Sequence, residues 1–421
     1  YSAEVAGEAI AYNVTAYPYF FVDSDGDGEA SEAEAEFANR FVSWTPRLVK
    51  AAYNYQTSLK DPGAYAHGGK YIIQLLHDSI VDLNSAVSTP VDITDARRID
   101  HGHFAGSEEA FRHWYADGEV PATCSKCHSA GGLPTFIKND ATIAEPISNG
   151  LQCSTCHNDL NEFSIFEVTE VEFPSGEVVE SSDGPMGLCL QCHQGRTSKM
   201  TVDNAIEGMD DDVVSEDLSF VNIHYFAAGA TLFGTEAKGA YEFDDQEYIG
   251  RFDHVRAADT CTECHSTHEL TVEVEGCAEC HDGVETKEDL RAIREAEDDF
   301  DGDGNVTEGL AEEIDTMRDA LYTALQAYGT EVAGTGIVYN PQRHPYFFID
   351  ANGNGEVDAG DTERFNAWTP RLLRAAYNYQ YSTKDPGAYT HNGLYIIQVL
   401  YDTLEDIGQE VTVDTENMVR P

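Results

Sequence analysis

The sequence predicts a central stretch with little regular secondary structure, held together by bound groups rather than side chains. Two mainly α-helical segments flank it, copies of one another that carry acidic, EF-like loops. Three observations predict this. All ten cysteines fall in five C-x-x-C-H motifs. The stretches before and after the motifs repeat each other closely. Loops of the type D-x-[DN]-x-[DN]-G occur in each copy and once between the motifs and the second copy.

The motifs are Cys124-Ser-Lys-Cys127-His128, Cys153-Ser-Thr-Cys156-His157, Cys189-Leu-Gln-Cys192-His193, Cys261-Thr-Glu-Cys264-His265 and Cys277-Ala-Glu-Cys280-His281. C-x-x-C-H is the attachment signal for haem c: two thiols add to the vinyl groups, and the adjacent His becomes an axial ligand of the iron. A zinc site pairs two C-x-x-C elements but does not require a His after each. A disulfide framework predicts irregular spacings. The pattern therefore predicts five covalent haems, with His128, His157, His193, His265 and His281 as proximal ligands. Five haems within residues 99–283 leave little room for a side-chain core. A hairpin around Pro174-Ser175-Gly176, over Val168–Val179, is the exception expected there.

The duplication pairs residues 1–98 with 328–421. Tyr1-x-x-Glu4-Val5-Ala6-Gly7 recurs as Tyr328-x-x-Glu331-Val332-Ala333-Gly334, and Pro18-Tyr-Phe-Phe21 as Pro345-Tyr-Phe-Phe348. Trp44-Thr-Pro-Arg-Leu48 recurs as Trp368-Thr-Pro-Arg-Leu372, and Lys60-Asp-Pro-Gly-Ala-Tyr65 as Lys384-Asp-Pro-Gly-Ala-Tyr389. In each copy the Thr is a ready N-cap, with Pro at the first helical position, where no backbone N–H is needed. A helix to about Lys60 follows, then an Asp61-Pro62-Gly63 turn. A second helix is expected from about Gly69 to Leu83, with Ile72, Leu75, Leu76, Ile80 and Leu83 on one side. The Trp and Tyr residues read as core. Between the haem segment and the second copy, residues 284–327 read as a helix–loop–helix, helical over 285–298 and 307–327.

The charge of −51, from 76 acidic and 25 basic residues among 421, makes nucleic acid and anionic membranes poor partners. It fits a saline habitat or calcium binding. No stretch is long and apolar enough to span a bilayer. The chain begins at Tyr1, which reads as a processed, exported chain with its signal removed.

Whether a haem carries electrons or does chemistry depends on its sixth ligand. Of 15 histidines, five are in motifs and six more lie in the haem segment: His101, His103, His113, His224, His254 and His268. His103, His113, His224, His254 and His268 are the distal candidates, and His101 is the spare. This supply favours bis-histidine coordination of all five irons. His67 and His391 occupy equivalent places in the two copies and read first as sharing a packing or capping role; ligation of a haem, within the chain or in another subunit, is the other reading.

The loops predict two or three calcium ions. Asp23, Asp25, Asp27, Glu29, Ser31 and Glu34 place oxygens along a twelve-residue loop with Gly28 at position six. Asp350, Asn352, Asn354, Glu356, Asp358 and Asp361 do the same. Asp299, Asp301, Asp303 and Asn305 start a third loop, but position twelve is Leu310, so Glu308, Glu312 or Glu313 must substitute. A structural rather than a sensing role is expected, since nothing marks a bistable helix pair.

His103-Phe104, Phe111-Arg-His113-Trp114, Cys124-Ser-Lys-Cys127-His128-Ser129 and Leu151-Gln-Cys153-Ser-Thr-Cys156-His157 together resemble exported multihaem c-type cytochromes of metal- and electrode-respiring prokaryotes. That group includes extracellular cytochromes that polymerise into conductive filaments. The resemblance implies a multihaem cytochrome c fold and stacked bis-histidine haems. It also implies electron transfer at the cell surface or beyond it. Expected partners are other copies of the chain, head to tail, and redox proteins or extracellular acceptors. A pentahaem reductase of the nitrite-reductase kind is the enzymatic alternative, but it needs a C-x-x-C-K motif and an open iron, and this chain has no such motif. A monomeric periplasmic carrier and a calcium-stabilised surface protein are the other readings.

Overall fold

A computed structural model describes residues 1–93, 96, 98, 108–114, 116–148, 150–181, 184–255 and 259–421. The chain divides into two compact units, Tyr1–Gly102 and His103–Pro421. The second copy thus lies in the same unit as the cysteine motifs and the segment that follows them.

In the first unit, Ile10–Tyr12 pairs antiparallel with Phe20–Val22, placing Ala11 opposite Phe21. Phe21 also bridges to Arg40. Alternation along the strand turns Ala11 and Phe21 inward, and they form the small core with Phe41, Leu48 and Ala52. Helix Pro46–Lys60 starts as its sequence demands: the Thr45 side chain accepts a hydrogen bond from Leu48 N at 3.1 Å, and Pro46 follows the cap. The next helix runs Ala64–Asn84 with a kink at Gly68, so it begins a turn before the expected Gly69. Asp61 explains the early start, because its carboxylate accepts from Gly63 N at 3.0 Å and closes the turn that launches the helix.

The second unit repeats this plan and adds to it. Ile337–Tyr339 pairs with Phe347–Ile349, and helices Pro370–Lys384 and Ala388–Ile407 follow, the latter kinked at Asn392. Thr369 caps its helix from the same position, accepting from Leu372 N at 3.1 Å. Helix Leu310–Glu331 packs along both, burying Ile314, Met317, Leu321, Leu325 and Tyr328 at the spacing of one helix face. Trp368, Tyr377, Tyr381 and Tyr395 are buried there.

The motif segment contributes short helices, among them Ala122–His128, Gly132–Asn139, Gly184–His193, Lys199–Ile206 and Ala228–Phe233. Glu170–Glu172 pairs with Val178–Glu180 in the hairpin expected around Pro174. Part of this segment forms a wall against the second copy. Asn378 accepts from Tyr241 N at 2.7 Å and donates to Tyr241 O at 2.9 Å, as a neighbouring strand would. Tyr377 Oη donates to Gly239 O at 2.7 Å, and Tyr395 Oη to Glu242 at 2.8 Å. Arg371 pairs with Asp212, and Arg374 with Asp211, each at 2.7 Å.

The helix expected over residues 285–298 is not formed. Only the turn Asp289–Ala292 is helical, and it is a 3-10 turn. Arg294 explains this: its guanidinium donates to the carbonyls of Ala296, Asp298 and Glu308, holding extended backbone whose carbonyls a helix would use for itself. The expected helix over 307–327 forms as Leu310–Glu331.

Candidate haem-binding sites

Four of the motifs place C-x-x-C on one turn of helix: Ala122–His128, Cys153–Cys156, Gly184–His193 and Cys261–Cys264. The fifth uses the 3-10 stretch Val274–Glu279. Positions i and i+3 share a helix face, so both thiols of a motif can meet one macrocycle edge. None of the ten cysteines is joined to another by a disulfide.

Backbone carbonyls orient the motif histidines. Nδ1 of His128, His157 and His193 donates at 2.8 Å to the carbonyl of Ala110, Phe163 and Phe226, respectively. This fixes the tautomer and leaves Nε2 as the free ligand atom, the second-shell arrangement of metal-binding imidazoles.

Four motif histidines face a second imidazole. His128 faces His224 with ring centres 5.9 Å apart, His157 faces His268 at 6.5 Å, His265 faces His391 at 6.3 Å, and His281 faces His254 at 6.2 Å. Two imidazoles bound on opposite sides of one metal, each through a nitrogen at about 2.0–2.1 Å, have ring centres about 6.3 Å apart. The four ring-centre separations match that value to within about 0.4 Å. Of the five distal candidates read from the sequence, His224, His254 and His268 stand in such pairs. His113 lies against Trp114 at 4.8 Å, and Trp114 against His128 at 5.3 Å. His101 and His103 lie outside the described residues. His391, read first as having a packing or capping role, is held at Nδ1 by the Asp385 carboxylate at 2.8 Å and also stands across from His265. The signal was present in the sequence, in an aspartate six residues ahead of the histidine in both copies, but its meaning needed the packing of helix Ala388–Ile407.

Electrostatics favour the ligating form. Burial, and then the charge of His128, pushes the His224 imidazole down to about 4, so it stays neutral near pH 7. Burial lowers His128 and His265 also. His391 goes the other way: burial alone would lower it, but the Asp385 carboxylate raises it.

The motifs adjoin in space. Cys127 Sγ donates to the Gln191 carbonyl at 3.9 Å, and Lys126 donates to the Gln191 side chain at 3.2 Å. The first motif thus abuts the third. Helix Gly184–His193, with the third motif, packs against Cys261–Cys264 of the fourth, and the fifth begins thirteen residues further along the chain. His268, three residues after His265, brings the second motif alongside through His157.

The acidic loops are organised for oxygen ligation. Carboxylate oxygens of Asp23, Asp25 and Asp27 lie within 4.8 Å of one another. At position twelve, Glu34 is buried and accepts from Ser24 N at 2.7 Å and Ser31 N at 3.1 Å. Asp361 repeats this in the second copy, accepting from Ala351 N at 3.0 Å and Asp358 N at 2.9 Å.

Residues 109–194, which hold the first three motifs, match the family of cytochrome c7 and related cytochrome c. The chain is 26% identical over 423 residues to the C-type polyheme cytochrome OmcC of Geobacter sulfurreducens, covering 86% of this chain and 52% of that protein. It is 26% identical over 356 residues to the C-type polyheme cytochrome OmcB of the same species, covering 71% and 45%. The chain is thus similar to polyhaem c-type cytochromes over most of its length. It spans about half the length of the curated relatives it matches. No solved structure matches it. Among the described residues, no helix is long and apolar enough to cross a membrane.

Proposed function

We propose that this chain carries electrons, outside the cytoplasm, through five closely spaced bis-histidine haems c, without catalysing a reaction of its own. The four facing imidazole pairs, spaced for one iron each, carry this reading. Bound at these sites, haem supplies a one-electron couple. The protein supplies two thiols and a proximal imidazole per motif, and distal imidazoles from His224, His268, His391 and His254. For the His193 iron, the segment ahead of the first motif offers His103 and His113. Two nitrogen ligands per iron leave no open position for a substrate. Adjacency of the motifs supports electron passage from one to the next.

The chain also suits a series of such segments. The first unit has the fold of the second copy, including a His67 whose Nδ1 is held by Asp61 at 2.9 Å, as Asp385 holds His391. That unit is the joint to a further haem segment, and a head-to-tail contact that does not close generates a filament. Calcium at the Asp23 and Asp350 loops pins each hairpin to its helix pair. Donors and acceptors are redox proteins or extracellular acceptors.

The test is spectroscopic. The purified holoprotein should contain five haems per chain by pyridine haemochrome, all low-spin by electron paramagnetic resonance, and the reduced form should bind no carbon monoxide. A high-spin haem or a carbon monoxide adduct would rule out closed coordination at every iron. Electron microscopy at high concentration tests the series: uniform single particles would count against polymerisation.

A further inference from the structure

The loop beginning at Asp299 has Leu310 where its pattern calls for a carboxylate. That side chain is used elsewhere: a Cβ added at Gly393 would lie 2.4 Å from Leu310 Cδ2, so Leu310 fills the space beneath helix Ala388–Ile407. One helical turn further on, Glu313 is fully buried. Its Oε2 accepts from Asp301 N at 2.8 Å, and its Oε1 accepts from Arg294. Glu312 is not turned to the loop; it caps its own helix by accepting from Gly309 N at 3.0 Å.

The carboxylates around Glu313 converge. Asp299, Asp301 and Glu313 offer oxygens within 4.8 Å of one another, and so do Asp301, Asp303 and Glu308. Asp301 is 5% exposed, and its Oδ2 is buried with no hydrogen-bond partner. Oε1 of Glu308 is buried without a partner as well. A buried carboxylate oxygen left unpaired costs several kcal/mol of lost hydration, on the order of the penalty for burying an unpaired polar group. Asp301 belongs to both groups, and the Arg294 guanidinium is bonded to Glu313. Hard oxygen donors in this number and charge are what calcium takes.

We propose that a calcium ion binds at Asp301 Oδ2, ligated by Asp299, Asp301, Asp303 and Glu308, with Glu313 replacing the missing position-twelve carboxylate. The ion ties three parts of the chain together. The loop supplies the aspartates, and helix Leu310–Glu331 supplies Glu313. The C-terminal segment is fastened to the loop because Val419 N donates to Phe300 O at 3.1 Å. The helix fixed in this way packs against the one that carries His391.

The test is calorimetric titration of chelator-treated, full-length holoprotein with calcium chloride. D303A and E313Q should each bind one calcium fewer per chain than wild type, or bind it at least tenfold more weakly. E312Q should match wild type. Asp303 is exposed, so D303A carries the test even where removing the buried partner of Arg294 prevents E313Q from folding. The haem spectrum reports the fold of each variant. Wild-type calcium stoichiometry and affinity in D303A would overturn the site, and loss of an ion in E312Q would overturn the assignment of Glu313.

Discussion

Tyr53 and Tyr377 hold equivalent positions in two copies of one module, yet Tyr53 is 71% exposed and Tyr377 is 0% exposed. Tyr71 and Tyr395 differ in the same way, at 62% and 0%, and Trp44 and Trp368 at 38% and 1%. Within each copy the internal bonds persist. Arg47 pairs with Asp82 at 3.2 Å as Arg371 pairs with Asp406, and Asn54 donates to Ser79 at 2.9 Å as Asn378 donates to Thr403. Among the described residues, the outward bonds occur only in the second copy, where Asp211, Asp212, Gly239, Tyr241 and Glu242 receive them. The residues that make them are kept in the first copy as Arg47, Tyr53, Asn54 and Tyr71, with Lys50 standing for Arg374. The difference teaches that burial of this module's aromatic face is supplied by the neighbouring chain segment around Asp211 and Gly239 and not by the module's own core.

The comparison breaks most sharply at the paired tyrosines. Tyr377→Ser should destabilise the second unit by roughly 3–5 kcal/mol, as truncation of a buried aromatic does. Tyr53→Ser should stay within about 0.5 kcal/mol, as exposed substitutions do. Chemical denaturation of the two variants reads this directly, and equal losses would remove the asymmetry.

Next in size is the charge pair. Arg374→Ala leaves Asp406 half-served and Asp211 without its guanidinium, for an expected loss of about 2–4 kcal/mol, because one partner of a buried ion pair is stranded. Lys50→Ala, at the equivalent exposed position, should cost under about 1 kcal/mol in the same denaturation experiment.

The histidines sharpen the comparison on the haems themselves. His391→Ala should convert one haem of the five to high spin in paramagnetic resonance. His67→Ala should leave every haem of the isolated chain low-spin. A high-spin signal from the His67 variant would place that residue on an iron of its own chain.

The smallest effect is in pH dependence. The Arg371 guanidinium bonded to Asp212 holds that carboxyl below its ordinary value. A depressed carboxyl contributes stability that is present above its unfolded pKa and is lost as pH falls through the folded one. Acid should therefore weaken the attachment of the second copy as pH falls below about 4. Asp212→Asn should flatten that part of the acid profile, measured as melting temperature against pH. An unchanged profile would show that the pair does not contribute.

How much of this was legible in the chain varies with the range of the interaction. Helix Pro46–Lys60, its Thr45 cap, the Asp61 turn and the hairpin around Pro174 all depend on neighbours a few residues apart, and each was readable. The helix expected over 285–298 was misread because Arg294 captures carbonyls on both sides of the loop, a contact that no local propensity registers. The aromatic residues read as core because burial in one copy and exposure in the other cannot be told from identical sequence.

The sequence by itself determined where each pair of thiols and its imidazole stand together, because a motif of five residues needs only one helical turn to bring them to one face. It also determined that the flanking module occurs twice and that each copy carries an acidic loop. Only the tertiary structure decided which imidazole stands across from which, that His391 and not a nearer histidine faces His265, and that Glu313 stands where Leu310 leaves a gap. Those pairings join residues far apart in the chain, and their geometry is set by how helices pack rather than by any local spacing.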